Sequence, residues 1–302
     1  MKFWQLSAKR GTNMQNHFAK MTWPEINQAA LDEKVAVIPA GTLEDHGLHL
    51  PVDTDVVVAN TICTLLAERI PDKTVLLPPI IFGFSPHHLD GPGTVTLRWD
   101  TFIESTTQIV SSLFYHGFRK VLIINGHGSN EPVLDLAARQ SIVSNPDSQC
   151  AVMSWWSLKN VQQTVKSFRE STWTGHACEL ETSLYLAIDP TKVKTELFQE
   201  DINPYMTHHF WADLVSQAPQ DYANPVKMNE YWSTVSQTGT WGDPRVSSAE
   251  KGQAILDSAI DELISLIDEY RNRPIRPRRP QQDPKFAKRN QEVLGHTPRF
   301  TH

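Results

Sequence analysis

Short apolar runs alternate with segments of helical periodicity, and this alternation constrains the fold more than any other feature of the chain. Three of the runs are VAVIPA at 35–40, TVLLP at 74–78 and KVLIIN at 120–125. Continuous β-branched runs of this length are typical of strands that are buried on both faces, as in parallel sheets. A fourth strand is predicted for CAVMSWW at 150–156.

Segments with apolar residues at helical spacing separate these strands. A capping-box pattern at Thr22 and Glu25, with Pro24 in the first turn, predicts a helix that ends near Leu31. Further helices are predicted over residues 56–70, 100–116, 130–144, 177–188 and 248–271. Strands that alternate with helices indicate βαβ units. We therefore expect an α/β fold, a three-layer sandwich with a mostly parallel central sheet.

Both ends of the chain and one internal stretch lack this pattern. Residues 1–21 are predicted to be an N-terminal arm, followed by one domain over 22–271. Within the domain, residues 194–245 contain four prolines and several aromatics, and we expect an insertion near the functional site or an oligomer contact. Residues 272–302 are rich in proline and arginine, which favours an extended tail.

Composition and charge argue against several classes of protein. The 302 residues are 40% hydrophobic and 21% charged, which is ordinary for a globular protein. The net charge of −6 argues against a nucleic-acid-binding protein, and no apolar run is long enough to span a membrane. The N-terminus lacks the apolar core of a secretory signal, and three widely separated cysteines do not indicate a disulfide framework. We expect a cytoplasmic protein.

The loop after the first strand contains a cluster of imidazole and carboxylate groups. Its sequence at 41–55 is GTLEDHGLHLPVDTD. Glu44 and His46 are two residues apart, so that in an extended loop they project to the same side. Asp55 closes the loop, and its two carboxylate oxygens could bridge two cations. In an open α/β sheet, ligands bind outside the carboxyl ends of the strands, where this loop is expected to lie.

The third strand ends in the same way, with NGHGSN at 125–130. The glycines allow a sharp turn that brings His127 to the same edge of the sheet. Mixed imidazole and carboxylate ligands suit Zn, Mn or Fe rather than Ca. From spacing alone, a solvated polar loop remains an equal alternative to a metal site.

Four segments resemble the motifs of the creatininase (creatinine amidohydrolase) family, in the same order. GTLEDHGLHLPVDTD is similar to the family signature, a Gly-Ser/Thr-x-Glu-x-His-Gly-x-His-Leu-Pro run followed by Asp. NGHGSN resembles Asn-Gly-His-Gly-Gly-Asn, and HACELETS at 176–183 resembles His-Ala-Gly-Glu-x-Glu-Thr-Ser. The loop from Gly83 to Thr94 resembles one that ends in Pro-Gly-Thr. The resemblance covers about residues 41–189 and implies the creatininase fold.

The resemblance implies a centre with two divalent metal ions per chain, with Zn, Mn or Fe as candidates. Glu44 and His127 would hold one ion, His46 would hold the other, and Asp55 would bridge them.

The fifth ligand departs from the family pattern. Creatininase itself has a glutamate two residues after the histidine of Asn-Gly-His, where this chain has Ser129. We expect Glu181 to replace it, with Glu179 as the second choice. For either glutamate, the alternative is a first-turn residue that the helix dipole favours.

Further residues are predicted to act on the substrate. His176 is similar to the substrate-contacting histidine of the family and is predicted to protonate the leaving group. Trp173 is predicted to stack on a flat or ring-shaped substrate, with ordinary packing as an equal alternative. His88 and Ser129 are predicted to contact the substrate, and His49 to orient the loop or a metal ligand.

Family resemblance implies a hydrolase that opens a small polar cyclic substrate, by attack of metal-activated water on a ring carbonyl. The C–N bond of a cyclic amide is the favoured target. Hydrolysis of a C–C bond in a cyclic diketone, of diketo-inositol type in carbohydrate catabolism, is the alternative, and a deformylase-like activity is also open. A non-catalytic scaffold without metal is a remote alternative. The family also implies a homo-oligomer, with a hexamer as the expected size. The net charge and the absence of a long apolar run lead us to expect neither nucleic acid nor membrane as a partner.

Overall fold

Four parallel strands form the central sheet. This computed structural model describes residues 16–202, 207–215, 226–279 and 281, and the strand order is β2-β1-β3-β4. The strands are β1 (Val35–Ala40), β2 (Thr74–Leu76), β3 (Lys120–Asn125) and β4 (Gln149–Ser154). β1 pairs in parallel with β2 and β3, and β3 pairs in parallel with β4. The predicted α/β sandwich with a parallel sheet is confirmed.

Helices connect and cover the strands. They are α1 (Trp23–Leu31), α2 (Thr54–Arg69), α3 (Trp99–Tyr115), α4 (Asn130–Ser144), α5 (Lys159–Phe168), α6 (Glu179–Ile188), α7 (Trp232–Val235) and α8 (Ala249–Asn272). The predicted capping box forms at α1, where Glu25 Oε2 accepts a hydrogen bond from the Thr22 backbone N–H at 2.7 Å.

The two faces of the sheet form two hydrophobic cores, because successive strand residues point to opposite sides. Val35 and Val37 of β1 pack with residues of α2, α5, α6 and α8, whereas Ala36 and Ile38 pack with residues of α1, α3 and α4. Each of these side chains is at most 1% exposed. Burial of one such valine or isoleucine contributes roughly 1.5–3 kcal/mol, so the cores give the strand ends a rigid support.

The structure departs from the sequence predictions after β3. The fourth strand ends at Ser154, because Trp155 and Trp156 form a short 3-10 helix and turn into the core. α5 was not predicted, since it buries only Val161 and Val165 among polar neighbours. A two-stranded antiparallel sheet of β5 (Thr174–His176) and β6 (Trp241–Gly242) was also missed, because such short strands show no periodicity.

The irregular segments pack against the domain where they are described. Asn16, in the predicted arm, donates a hydrogen bond to the Ala67 carbonyl at 2.9 Å. In the predicted insertion, Asp213 pairs with Arg169 at 2.7 Å. After α8, the carbonyl of Arg273 accepts a hydrogen bond from Lys120 at 2.7 Å. Of the predicted arm, insertion and tail, residues 1–15, 203–206, 216–225, 280 and 282–302 lie outside the described residues.

Among the described helices, none combines the length and apolar character that a membrane span requires.

Candidate metal centre

The five predicted metal ligands meet at the carboxyl edge of the sheet. Glu44 and His46 follow β1, His127 follows β3, Asp55 lies in the first turn of α2, and Glu181 lies in the first turn of α6. Each is at most 6% exposed. The sequence therefore identified a set of buried polar residues that the fold brings together.

Two glycines allow the start of α2 to approach the ends of β1 and β3. A Cβ atom at Gly41 would lie 2.6 Å from the backbone nitrogen of Val56, and one at Gly126 would lie 2.5 Å from the carbonyl oxygen of Asp55. Both distances are too short for a side chain at either position. Because neither glycine carries a side chain, Asp55 can lie between the loops that follow β1 and β3.

Glu44, Asp55 and His127 form the first group. His127 Nδ1 lies 3.2 Å from Glu44 Oε1 and 3.1 Å from Asp55 Oδ2. The opposite ring nitrogen, Nε2, lies 3.2 Å from the Phe84 carbonyl oxygen, which can only accept, so Nε2 must be the donor. In the neutral ring, Nδ1 therefore presents a lone pair to two carboxylates.

The second group consists of His46, Asp55 and Glu181. As in the first group, one histidine nitrogen faces two carboxylates. His46 Nε2 lies 3.3 Å from Asp55 Oδ1 and 3.9 Å from Glu181 Oε1. His46 Nδ1 donates to the Glu44 carbonyl oxygen at 3.3 Å, so the lone pair is on Nε2. Backbone carbonyls thus select the tautomer of both histidines, an arrangement typical of metal-binding imidazoles.

Each group requires a positive charge. Burial opposes protonation of His127, but Glu44 and Asp55 outweigh it and raise its pKa to about 10. Burial likewise opposes protonation of His46, and Asp55 and Glu181 raise its pKa well above the usual value. Without a cation, lone pairs and carboxylate oxygens would face one another in a site with little water. Either a proton or a metal ion must compensate them.

The donor set fits two divalent ions. Within the described part of the chain, the buried atoms His46 Nε2, Asp55 Oδ2 and Glu181 Oε2 have no hydrogen-bond partner. Within each group, the potential ligand atoms lie within 4.8 Å of one another. Asp55 belongs to both groups and directs one carboxylate oxygen to each histidine. Imidazole and carboxylate donors of this kind suit Zn, Mn or Fe.

Glu179, the second choice for the fifth ligand, faces away from these groups. Its carboxylate accepts hydrogen bonds from Lys251 Nζ at 2.6 Å and from the Ser171 backbone at 2.8 Å. It belongs to neither group of potential ligands among the described residues. The structure does not support Glu179 as a ligand, because its charge is already compensated by Lys251.

His176 lies beside the first group. Its Nε2 donates to the Asp45 carbonyl oxygen at 2.6 Å, and its Nδ1 lies 3.6 Å from Glu44 Oε1. Burial, together with the nearby His46 and His88, lowers its pKa to about 4. Ala177, which follows His176 in the chain, adopts a positive φ of 47°. The predicted role in proton transfer must therefore use Nδ1, since the N–H of the neutral ring is engaged.

His88 and Ser129 are also held by neighbours. His88 Nδ1 lies 3.0 Å from Asp45 Oδ1, and His88 is 3% exposed. Ser129 Oγ lies 3.2 Å from His87 Nε2. Asp45, His88 and His176 also lie close enough to surround a cation, but hydrogen bonds already join them. Contact of His88 and Ser129 with substrate stays a prediction.

The tryptophan nearest the histidines is not the predicted one. Trp173 packs against Trp211, with ring centroids 4.6 Å apart. Trp232 instead stacks on His88 at 4.7 Å and 17°, and contacts His176 edge-on at 4.9 Å. Sequence analysis missed Trp232 because only its position in the irregular 194–245 stretch, which was expected near the site, pointed to it.

Further side chains orient the ligands. His49 Nε2 lies 2.8 Å from Thr182 Oγ1 and joins the β1 loop to α6, which agrees with its predicted orienting role. Ser85 donates a hydrogen bond from Oγ to Glu44 Oε2. Sequence analysis did not single out Ser85, because its proximity to Glu44 arises only in the folded chain.

Comparison with known proteins identifies relatives over most of the chain. Residues 19–267 match the family model of creatininase, described as creatinine amidohydrolase. The chain is 26% identical to the creatinine amidohydrolase of Pseudomonas putida, over 83% of this chain and 95% of that protein. It is 26% identical to the 3-dehydro-scyllo-inosose hydrolase of Thermotoga maritima, over 85% and 84%. It is 27% identical to the mycofactocin precursor peptide peptidase of Mycobacterium ulcerans, over 82% and 85%.

Solved creatininase structures have the same fold. A crystal structure of creatinine amidohydrolase superposes with a TM-score of 0.71 at 23% identity, over 86% of this chain and 99% of that one. A mutant creatininase of Zn–Zn type superposes with a TM-score of 0.69 at 23% identity, over 84% and 98%. Because the family model matches well over half of the sequence, the chain belongs to the creatininase family, as the sequence motifs indicated.

Proposed function

We propose that this creatininase-family hydrolase is a dinuclear metal enzyme that opens a small cyclic amide at its C–N bond. The observation that supports it most is the pair of buried histidine lone pairs that face three carboxylates, with Asp55 shared between them. A scaffold protein would have no reason to keep so many uncompensated polar groups in its interior.

The chain's own residues would hold the two ions. Glu44, Asp55 and His127 would bind one, and His46, Asp55 and Glu181 the other. When bound, divalent ions supply Lewis-acid chemistry and lower the pKa of water. Three carboxylates do not fully neutralise two divalent ions. The residual positive charge favours the negative charge that develops on a carbonyl oxygen in the transition state.

Hydrolysis of an amide also needs a proton carrier. The oxygen of water bonds to the carbonyl carbon, the electron pair of the C–N bond goes to nitrogen, and this nitrogen takes up a proton. His176 is suited to the transfer, because the Asp45 carbonyl keeps its Nε2 protonated and leaves Nδ1 free to accept a proton and return it.

The relatives support the C–N bond over the C–C bond. An amidohydrolase and a peptidase are named for cleavage of amide bonds, and each aligns with about four fifths of this chain. The 3-dehydro-scyllo-inosose hydrolase supports a second candidate, hydrolysis of a cyclic ketone, over a similar length. Ser129 at the position of the creatininase glutamate leaves creatinine itself only one of several candidate substrates.

Activity assays on the purified, metal-loaded chain would separate these functions. A panel of cyclic amides, cyclic diketones and linear peptides would be incubated with the enzyme, and the products identified by mass spectrometry. Ring opening of cyclic amides, lost after removal of metal by a chelator and restored by Zn or Mn, is the expected result. Turnover of diketones alone would contradict the proposed bond, and turnover of linear peptides alone would contradict the proposed cyclic substrate.

A further inference from the structure

A series of aromatic rings leads from the candidate metal centre to Trp232. The rings of His46 and His176 lie 4.2 Å apart, and those of His176 and His88 lie 4.8 Å apart. Trp232 continues the series, since its ring is nearly parallel to that of His88 at 4.7 Å. Trp232 is only half-buried, whereas the three histidines are buried. It therefore occupies the outer, more exposed end of the series.

The segment that contains Trp232 is fixed to the domain on both sides of the indole. Ser233 Oγ donates a hydrogen bond to Asp90, which follows the loop of His88. Beyond α7, Asp201 accepts hydrogen bonds from Ser236 Oγ at 2.8 Å and from the Gln237 backbone at 2.9 Å. The backbone around Trp232 is thus held in position.

The indole ring is held by ring contacts with His88, His176 and Trp241 and by one long hydrogen bond. Its Nε1 donates to the Gly239 carbonyl oxygen at 3.4 Å, which is near the limit of a hydrogen bond. His88, behind it, is fixed by Asp45 at 3.0 Å. Most of these contacts are between ring faces and edges, and an aromatic ring that makes such contacts can make them with another flat molecule as well.

We propose that Trp232 contacts the substrate and makes the site selective for planar, unsaturated ring amides over saturated ones. The inference rests on the proposed function, because it names the substrate class of the same site. A planar conjugated ring can stack on an indole with its whole face, whereas a puckered saturated ring touches it with a few atoms. Trp173, the tryptophan that the sequence suggested for this role, is packed against Trp211.

Kinetics of two variants on two kinds of ring test the proposal. The full, metal-loaded chain would be assayed as wild type, Trp232→Leu and Trp232→Phe, with creatinine and hydantoin as planar rings and 2-pyrrolidinone as a saturated ring. Loss of aromatic stacking in Trp232→Leu should raise KM for planar rings roughly three- to tenfold and leave KM for 2-pyrrolidinone unchanged. In Trp232→Phe, which keeps an aromatic ring, KM for planar rings should stay close to the wild-type value. Trp23→Leu is the matched control, because Trp23 on α1 is 78% exposed. It should change neither KM for planar rings nor KM for 2-pyrrolidinone.

Indole fluorescence gives a binding readout that does not depend on turnover. Creatinine should quench the emission of the wild type and of Trp23→Leu, and should not quench that of Trp232→Leu. Metal content of Trp232→Leu should equal that of the wild type, which would show that the centre is intact.

Several outcomes would overturn the proposal. One is an equal rise in KM for planar and saturated rings in Trp232→Leu. Another is a rise in KM for planar rings in Trp173→Leu but not in Trp232→Leu. A third is that creatinine does not quench the fluorescence of the wild type. A wild-type enzyme that opens 2-pyrrolidinone in preference to planar rings would uphold the proposed function and overturn this inference. A chain that binds two metal ions and opens no cyclic amide would instead contradict the proposed function.

Discussion

The substitution Glu181→Gln removes one negative charge from the group that also contains His46 and Asp55. Glu181 Oε1 lies 3.9 Å from His46 Nε2, and no described residue hydrogen-bonds to Oε2, so the carboxylate is placed to bind a cation beside His46. The expected result is loss of the ion from this group, while the ion between Glu44, Asp55 and His127 stays bound. Metal content should fall from two ions per chain towards one.

The size of the effect follows from the charges. Two unit charges about 4 Å apart interact by about 4 kcal/mol at an effective dielectric constant of 20, and a divalent ion doubles this value. If desolvation offsets half of the gain, about 4 kcal/mol remains. The dissociation constant of the second ion should therefore rise roughly a thousandfold.

Glu179→Gln is a matched control two residues away on the same helix. Glu179 is equally buried, but its carboxylate bonds to Lys251 at 2.6 Å. Loss of a hydrogen bond to a charged group should lower the free energy of unfolding by roughly 1.5–3 kcal/mol, with or without metal. Metal content should stay at the wild-type value.

Elemental analysis and thermal unfolding with and without added Zn or Mn would distinguish the two variants. In Glu181→Gln the stabilisation by metal should shrink, since an ion that binds only the folded state stabilises it. A Glu181→Gln protein that retains two ions at wild-type affinity, or a Glu179→Gln protein that loses one, would refute the assignment.

Three further predictions concern the same centre. Metal uptake at pH 8 should release the proton of His127, because its metal-free pKa is raised to about 10; apparent affinity should therefore weaken as the pH falls, and calorimetry in buffers of different ionisation enthalpy would measure the proton count. Gly126→Ala should lower the free energy of unfolding by about 1–3 kcal/mol and reduce metal content, since the added Cβ would lie 2.5 Å from the Asp55 carbonyl oxygen; an unchanged melting temperature would contradict this. Ser129→Ala should leave metal content unchanged, because Ser129 Oγ hydrogen-bonds to His87 Nε2 at 3.2 Å and not to any of the five ligand residues among the described contacts. Loss of an ion, measured by elemental analysis, would refute this.

The strands and long helices could be predicted from the sequence, because the local spacing of their apolar residues indicates which faces are buried. VAVIPA and KVLIIN became β1 and β3 with the predicted bounds, since strands covered on both faces need continuous apolar residues. α5 was missed although Val161, Val165 and Phe168 lie at helical spacing and pack against the core, because polar residues fill its other positions. β5 and β6 depend on pairing between residues that are far apart in the chain.

The candidate site was predictable to the level of motifs and not to the level of contacts. Glu179 and Glu181 are two residues apart at the start of one helix, so they point in directions about 200° apart. The sequence alone does not show which of the two glutamates faces His46. The position of α8 determines this, because it brings Lys251 to Glu179. Trp232 is near His88 only because the chain folds back over the site.

Anomalous diffraction from crystals of the metal-loaded chain would test the central claim most directly. The account predicts two peaks per chain, one among Glu44, Asp55 and His127 and one among His46, Asp55 and Glu181. A single peak, no peak, or a peak among Asp45, His88 and His176 would contradict it.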